Sequence, residues 1–169
     1  ADRTATHKRL SNLINEYKDR TCSVYLLHGT MDAEEISSLY KHPKIKALIS
    51  ITHGEGFGLP IFEAAYNSLP IITTGWGGQC DYLYVNEGKK NKALFAEVSY
   101  DIGPIQPQAH WEGVLEKESS WCYPQQGSYK MKLRQVRKNY DKWKKRAKKL
   151  ERNIRKSFDA KTQYNKFID

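Results

Sequence analysis

One stretch constrains the fold more than any other, an apolar run followed by closely spaced glycines. The run from Ala47 to Thr52 has the length and composition of a buried strand. Gly54, Gly56 and Gly58 follow, and a helical pattern begins around Pro60, a residue that the first turn of a helix tolerates. This order of strand, glycine-rich turn and helix aims unpaired backbone N–H groups and a helix dipole at an anion, most often a phosphate.

Two carboxylates accompany this turn, Glu55 within it and Glu63 in the following helix. A site for phosphate alone gains nothing from acids, because like charges repel. A ligand that carries both phosphates and hydroxyls would use both kinds of group, since an ionised carboxylate accepts hydrogen bonds from neighbouring hydroxyls. The spacing alone leaves a second interpretation open, in which the glycines only permit tight packing. It also differs from the dinucleotide fingerprint, which requires G-x-G-x-x-G.

Strand-like and helix-like segments alternate along the first part of the chain. We predict helices over 3–19, from Asp32 to His42 and over 79–84, and strands over 23–28, 46–52 and 69–74. Asp32 and Glu35 have the spacing of a capping box. This alternation predicts a Rossmann-like, three-layer α/β/α domain with a parallel sheet. The turns that follow its strands, at Gly29-Thr30, 53–58 and 74–78, should line one rim, where such sheets bind ligands.

The second half of the chain shows a different pattern. We predict a polar turn over 86–92, an edge strand over 94–102 and mostly loop over 103–127, with a short helix near 110–118. A long helix is expected from Gly127 to Phe158, because its apolar residues recur every three or four positions, and a last short helix over 160–168. We interpret residues 1–169 as a single domain with a core over 22–102, a tryptophan- and proline-containing loop region over 103–127 and C-terminal helices over 128–168.

The positive charge of the chain is concentrated in one segment. The chain carries a net charge of +9, whereas Ser128 to Ser157 contains 14 Lys and Arg and only 2 acids, Asp141 and Glu151. The rest of the chain is therefore mildly acidic. The basic helix has three interpretations: a solvated outer face, a surface for an anionic membrane or acidic partner, or a nucleic-acid site. The last is disfavoured because no aromatic residues interleave the basic face as stacking platforms.

Cysteine usage and hydropathy argue against metal and membrane-spanning classes. Cys22, Cys80 and Cys122 form no C-x-x-C pair, and no Cys/His cluster has zinc spacing. We therefore expect reduced thiols in a cytoplasmic protein, with membrane association through the basic helix kept open. No run of about 18 apolar residues occurs, and the first residues lack a signal-peptide core.

The segment E-G-F-G-L-P-I-F-E-A-A-Y-N-S-L-P-I-I-T-T closely resembles the glutamate-x7-glutamate motif of retaining glycosyltransferases of family 4, the glycosyl transferases group 1 set. Glu55 and Glu63 are its two glutamates. The segments at 24–29 and 36–40 look like the family's preceding strand and helix. Gly75-Trp76-Gly77-Gly78 with Asp81-Tyr82-Leu83 is similar to the glycine pair and acidic residue that follow, and 121–124 with Leu133-Arg134 resembles a later tryptophan–proline segment.

The resemblance implies the C-terminal, donor-binding domain of a GT-B fold and a hexosyltransferase-like enzyme. A nucleoside diphosphate sugar would be the donor, a sugar, lipid or protein hydroxyl the acceptor, and no cofactor or metal would be required. Glu55 would contact the transferred sugar as the catalytic residue, and Glu63 would bind the ribose. The further donor contacts that it implies are Gly56, Phe57, Gly58, Leu59, Pro60, Thr30, Met31, His53, Gly77 and Gly78. For His53, Gly77 and Gly78, a purely structural role stays open.

The chain departs from the family pattern at its beginning. The family's domain opens with two further strands that carry an arginine and a lysine for the diphosphate, whereas one helix precedes Ser23 here. We therefore expect the chain to be a fragment that lacks this part and the N-terminal acceptor domain, and to be of doubtful activity alone. Two alternatives stay open: a nucleotide-sugar epimerase of the same fold, and a non-catalytic basic module that binds anionic lipid or nucleic acid.

Overall fold

The computed structural model describes residues 2–88 and 90–168, which divide into two compact units. The first unit extends to Glu35 and contains α1 (Arg3–Glu16), which begins after Asp2; the Asp2 carboxylate accepts a hydrogen bond from Thr4 N at 2.9 Å. Helix α2 (Ala33–Lys41) follows and ends just before His42-Pro43. Both helices confirm the predictions from the sequence.

The predicted strand over 23–28 is wrong. These residues have no regular secondary structure, and the side chains of Tyr25 and Leu27 are 88% and 70% exposed. A strand requires a neighbouring backbone to pair its N–H and C=O groups, and no described segment pairs with this one. The short apolar segment S-V-Y-L-L-H therefore indicated a strand where the described chain offers no pairing partner.

The second unit, which begins at Ile36, contains the remaining elements. In chain order they are β1 (Leu48–Ser50), α3 (Leu59–Tyr66), β2 (Ile71–Thr74), α4 (Cys80–Leu83), β3 (Tyr84–Glu87), β4 (Lys90–Ala93), β5 (Ala96–Val98), β6 (Tyr100–Pro104), a 3-10 turn (Pro107–Ala109), β7 (Ser120–Pro124), α5 (Gln126–Lys138), α6 (Tyr140–Ser157) and α7 (Ala160–Ile168).

The central sheet is parallel, with the order β1-β2-β5. All four residues of the middle strand β2 are buried, and its neighbouring side chains face opposite layers. Ile71 packs in a cluster with residues of α3, α4 and α6, whereas Ile72 packs in a second cluster with Val136 of α5 and Trp143 of α6. Helices thus cover both faces of the sheet, which explains the continuous apolar run of this strand. The predicted α/β/α class is confirmed.

Two antiparallel hairpins replace segments that the sequence indicated as turn or loop. Strands β3 and β4 pair around the predicted turn over 86–92, whose residue 89 lies outside the described residues. The predicted edge strand over 94–102 is two strands: β5 in the parallel sheet, and β6, which pairs with β7 across 15 intervening residues. The helix expected near 110–118 is wrong, because Gly113 takes a φ of +74° and a bridge joins Trp111 to Leu115.

The long basic helix is broken at one residue. Helix α5 ends at Lys138 and α6 begins at Tyr140, because Asn139 leaves the helical region with φ −121° and ψ 45°. Asparagine favours such positions, since its side chain competes for backbone hydrogen bonds within a helix. The apolar stripe is consequently shared between the two clusters: Val136 and Trp143 belong to one, Leu150 and Ile154 to the other.

Candidate active site

The loop over 53–58 leaves the carboxyl end of β1 and leads directly into α3. Gly58 precedes the helix in the left-handed region, with φ 76° and ψ 58°, which glycine adopts without strain. Its carbonyl accepts hydrogen bonds from Ile61 N and Phe62 N, both at 2.9 Å. No described residue accepts a hydrogen bond from the N–H groups of Phe57, Gly58 or Leu59. The loop therefore offers adjacent backbone donors at the positive end of the α3 dipole.

A second glycine turn, over 75–78, packs backbone to backbone against this loop. Gly78 N donates to the carbonyl of Glu55 at 2.9 Å, and a methyl group on Gly78 would collide with the carbonyl of Gly56. At Gly77, where φ is +99°, a methyl group would lie 2.8 Å from the same Glu55 carbonyl. Both glycines are therefore required by the close approach of the two turns. Their contact with a ligand stays a prediction.

Tyr82 of α4 holds the loop from the protein interior. It is fully buried, and its hydroxyl lies 2.9 Å from the carbonyl of Phe57 and 3.0 Å from that of Gly58, between which its single hydrogen can be shared. Burial, and secondarily the negative charge of Glu55, raises the pKa of this phenol well above its usual range. The hydroxyl thus stays a donor at physiological pH. Sequence reasoning missed this role, because Tyr82 occupies an ordinary core position of a short helix.

His53 begins the loop and is fixed by β7. Its Nδ1 lies 2.8 Å from the carbonyl of Cys122, whose N–H in turn donates to the His53 carbonyl at 3.1 Å. Since a carbonyl only accepts, Nδ1 carries the hydrogen. The imidazole also stacks on Trp121, with ring centroids 4.5 Å apart and planes 7° from parallel. The structure therefore gives His53 a clear structural role, and its contact with a donor phosphate stays a prediction.

The two glutamates keep free capacity to accept hydrogen bonds. Glu55 is half-buried, and its carboxylate accepts the Thr52 hydroxyl at 3.1 Å. Glu63 is half-buried on α3, and among the described residues no side chain or N–H group donates to its carboxylate. It lies close enough to Tyr40 to add to the rise in the pKa of that phenol, which burial mainly causes. Both carboxylates can consequently bind hydroxyls of a ligand.

The floor of the second turn contains polar residues that sequence reasoning missed. The Tyr84 hydroxyl donates to Glu97 Oε1 at 2.7 Å, and a methyl group on Gly75 would collide with both of these side chains. Burial, followed by this hydrogen bond, raises the pKa of Tyr84 well above its usual range. Glu97 lies on β5, and the available signal was an acidic residue between the apolar residues Ala96 and Val98.

The remaining predicted donor contacts are Leu59, Pro60, Thr30 and Met31. Leu59 is 62% exposed and Pro60 is exposed, both in the first turn of α3. Thr30 and Met31 lie in the first unit, where Thr30 is exposed and Met31 half-buried, directly before Asp32. Asp32 Oδ1 accepts from Glu35 N at 2.8 Å, and Glu35 Oε2 accepts from Asp32 N at 3.0 Å, which confirms the predicted capping box. Contact of Leu59, Pro60, Thr30 and Met31 with the sugar nucleotide stays a prediction.

The outward side of α6 carries a regular row of cations, here called the basic stripe. It consists of Lys142, Lys145, Lys149, Arg152 and Lys156, all exposed. Their spacing of three and four residues places them on one side of the helix, opposite Trp143, Ala147, Leu150 and Ile154, which are buried. A groove of about 410 Å³ lies between the first part of this stripe and Lys92 and Leu94 of the preceding hairpin region, and none of its lining residues is acidic.

The described part of the chain contains neither a cluster of metal ligands nor a helix that could span a membrane. No group of three or more His, Cys, Asp or Glu residues has the arrangement needed to hold a metal ion. No described helix combines the length and the apolar character that crossing a membrane requires. The arrangement at the two glycine turns is thus one of backbone donors and carboxylate acceptors, suited to a ligand that carries phosphates and hydroxyls.

Comparison with known sequences agrees with this chemistry. The sequence profile of the family described as "Glycosyl transferases group 1" matches residues 4–101, more than half of the chain. The match includes both glycine turns, Glu55 and Glu63. The chain belongs to the glycosyl transferases group 1 family, whose members transfer sugars. No curated protein and no solved structure matches the chain at the significance required.

Proposed function

We propose that the chain binds a nucleoside diphosphate sugar at its two glycine turns and transfers the sugar, with retention, to a hydroxyl acceptor. The observation that carries this proposal is the row of unpaired N–H groups at Phe57, Gly58 and Leu59, accompanied by the carboxylates of Glu55 and Glu63, which keep capacity to accept further hydrogen bonds. A diphosphate requires donors, and the sugars at its two ends require acceptors. The loop and the α3 helix that follows it offer both kinds of group.

The proposed roles follow from the charges that develop during transfer. As the bond between the anomeric carbon and the diphosphate oxygen breaks, negative charge gathers on the leaving group, where preorganised N–H groups and the α3 dipole would stabilise it. Glu55 would position the sugar and stabilise positive charge at the anomeric carbon. Glu63 would accept hydrogen bonds from the ribose hydroxyls. The acceptor oxygen then bonds to the anomeric carbon, and its proton passes to the phosphate oxygen of the departing nucleoside diphosphate. In this scheme backbone donors and a helix dipole take the part of a metal ion.

We further propose that the basic stripe holds the protein on an anionic membrane surface, where a lipid-linked acceptor is accessible from the cytoplasm. Five outward cations extend along roughly 21 Å of α6, from the helical rise per residue. A Lys or Arg near an anionic bilayer contributes about 1 kcal/mol. The apolar side of α6 is buried in the protein, so binding would be electrostatic, without insertion of the helix.

Calorimetric titration with UDP, GDP and ADP tests the main proposal. We expect one nucleotide to bind the wild-type chain and Glu63→Ala to weaken it about tenfold or more, because a hydrogen bond to a charged group contributes about 1.5–3 kcal/mol. Glu118→Ala removes an exposed acid elsewhere and serves as the matched control. The proposal fails if none of the nucleotides binds, or if the Glu63 and Glu118 variants bind equally well.

A further inference from the structure

Trp76 is an exposed aromatic residue within the second glycine turn. Its side chain is 38% exposed, although an indole is among the largest apolar groups and is usually well buried. Exposure in a surface turn is ordinary for a small residue and less so for tryptophan. The position therefore raises the question of what the indole contacts when a ligand is present.

The indole lies beside the first glycine loop. A methyl group on Gly54 would be 3.8 Å from Trp76 Nε1 and 3.9 Å from its Cδ1, which are ordinary contact distances. Gly54 is the neighbour of Glu55 in sequence, so the indole lies next to the residue proposed to hold the transferred sugar. The ring of Tyr100 also lies near the indole, with ring centroids 6.0 Å apart and planes tilted by 53°. The indole and this phenol form an aromatic wall at the loop.

Buried groups fix the backbone that carries this wall. The Gln79 side chain is fully buried, and its amide donates to the carbonyl of Trp76. The Tyr100 hydroxyl donates to the carbonyl of Gly75 at 3.3 Å. These two hydrogen bonds thus fix the backbone of the turn, whereas part of the indole surface has no protein neighbour. A rigid backbone with an open aromatic surface is the arrangement that binding sites use for preorganised apolar contact.

The chemistry of a sugar ring fits this pair of neighbours. A pyranose has hydroxyls around its rim and C–H groups on its two faces. A carboxylate binds rim hydroxyls, and the electron-rich face of an indole attracts C–H groups, which carry partial positive charge. We propose that Trp76 stacks on a face of the transferred sugar and is a specificity-determining residue for it. This inference rests on the proposed function, because it requires the donor to lie along the first glycine loop.

Paired titrations separate the sugar from the nucleotide. UDP, GDP and ADP, and the matching UDP-glucose, GDP-mannose and ADP-glucose, are titrated into the wild-type chain, Trp76→Phe and Trp76→Leu. We expect Trp76→Leu to weaken binding of the nucleotide sugar about tenfold while the nucleotide alone changes less than about twofold, given the usual strength of aromatic pairs. Trp76→Phe keeps a flat ring and should retain most of the affinity. Trp111→Leu, which alters an indole that is 68% exposed elsewhere, is the control.

The outcomes distinguish this inference from the function on which it rests. If no nucleotide binds the wild-type chain, the proposed function fails and the role of Trp76 fails with it. If a nucleotide binds, but Trp76→Leu weakens nucleotide and nucleotide sugar equally or affects neither, the proposed function survives and the role of Trp76 is overturned.

A measurement on the wild-type chain avoids any effect of substitution on folding. Irradiation of the protein's aromatic proton resonances should transfer saturation to the sugar-ring C–H protons of the bound nucleotide sugar more strongly than to its ribose protons. Transfer confined to the ribose and base would contradict a stacking contact at Trp76.

Discussion

The two glycine turns and the basic stripe hold their functional groups in opposite ways. At the turns, backbone atoms face one another so closely that Gly78 has no room for a side chain, and buried Tyr82 and Gln79 fix the carbonyls. In the basic stripe, the charged groups are exposed to solvent, so any one of several cations can supply the same positive charge. We therefore expect single substitutions to have large effects at the glycine turns, where two backbone segments must fit together. In the basic stripe, where only the positive charge matters, we expect each substitution to have a small effect.

The largest effect is expected at Gly78. The substitution Gly78→Ala would force the two turns apart, because its methyl group collides with the Gly56 carbonyl, and overpacking of this kind costs about 1–3 kcal/mol. Gly56→Ala is the matched control, since no atom lies within 4 Å of its added methyl group. Urea unfolding of both variants measures the difference. Equal stability of the two variants would show that the turns do not approach one another as described.

A smaller loss is expected at Tyr82. The substitution Tyr82→Phe removes the hydroxyl that lies within hydrogen-bond distance of the carbonyls of Phe57 and Gly58, and loss of one hydrogen bond of this kind costs about 0.5–1.5 kcal/mol. Tyr164→Phe, at a phenol that is 69% exposed, should change stability little. The midpoints of thermal unfolding compare the two. If Tyr82→Phe is as stable as Tyr164→Phe, the hydroxyl does not support the loop.

Alkaline pH should act on the same group. Because the folded-state pKa of Tyr82 is raised above its ordinary value of 10.0, the folded protein retains this proton after the unfolded chain has lost it. The stabilisation is complete below pH 10 and falls above it, by at most about 1.4 kcal/mol per pH unit for one group. Urea unfolding between pH 8 and 11 should show a shallower decline for Tyr82→Phe. An unchanged slope would contradict this assignment.

The smallest single effects are expected in the basic stripe. Replacement of Lys145, Arg152 or Lys156 by glutamine should leave stability within about 0.5 kcal/mol, as for most surface changes. Each replacement should weaken binding to anionic phosphatidylserine vesicles about fivefold. A variant with all three of these residues replaced by glutamine is compared with one in which Lys8, Lys18 and Lys41 are replaced by glutamine, because the two variants have the same net charge. Equal vesicle binding by these two variants, or selective binding of a single-stranded oligonucleotide instead, would remove the membrane proposal.

Predictions from the sequence succeeded where the signal is local. The strand–turn–helix from β1 to α3, the buried strand β2 and the capping box at Asp32 each depend on neighbouring residues, and each is present. Pairing of β6 with β7 depends on residues about twenty positions apart, which no periodicity reveals. The break at Asn139 was hidden because the three-and-four spacing continues across it.

The same limit applies to the site. The glycines and glutamates were identified because their residue types and spacing are unusual. Tyr82 and Gln79 act through buried hydrogen bonds to the loops, and in sequence they look like ordinary members of a short helix. Glycine at position 78 was predicted as a turn residue, whereas its contact with Gly56 depends on how two separate turns meet.

Removal of the ribose hydroxyls tests the central claim most directly. The nucleoside diphosphate that binds and its 2′,3′-dideoxy analogue are titrated into the wild-type chain and Glu63→Gln. If Glu63 holds the ribose, loss of the hydroxyls weakens wild-type binding about tenfold or more and changes Glu63→Gln binding little, because the interaction is already absent. An equal loss in both proteins would show that the ribose lies elsewhere, and that the glycine turns do not bind the donor in the proposed orientation.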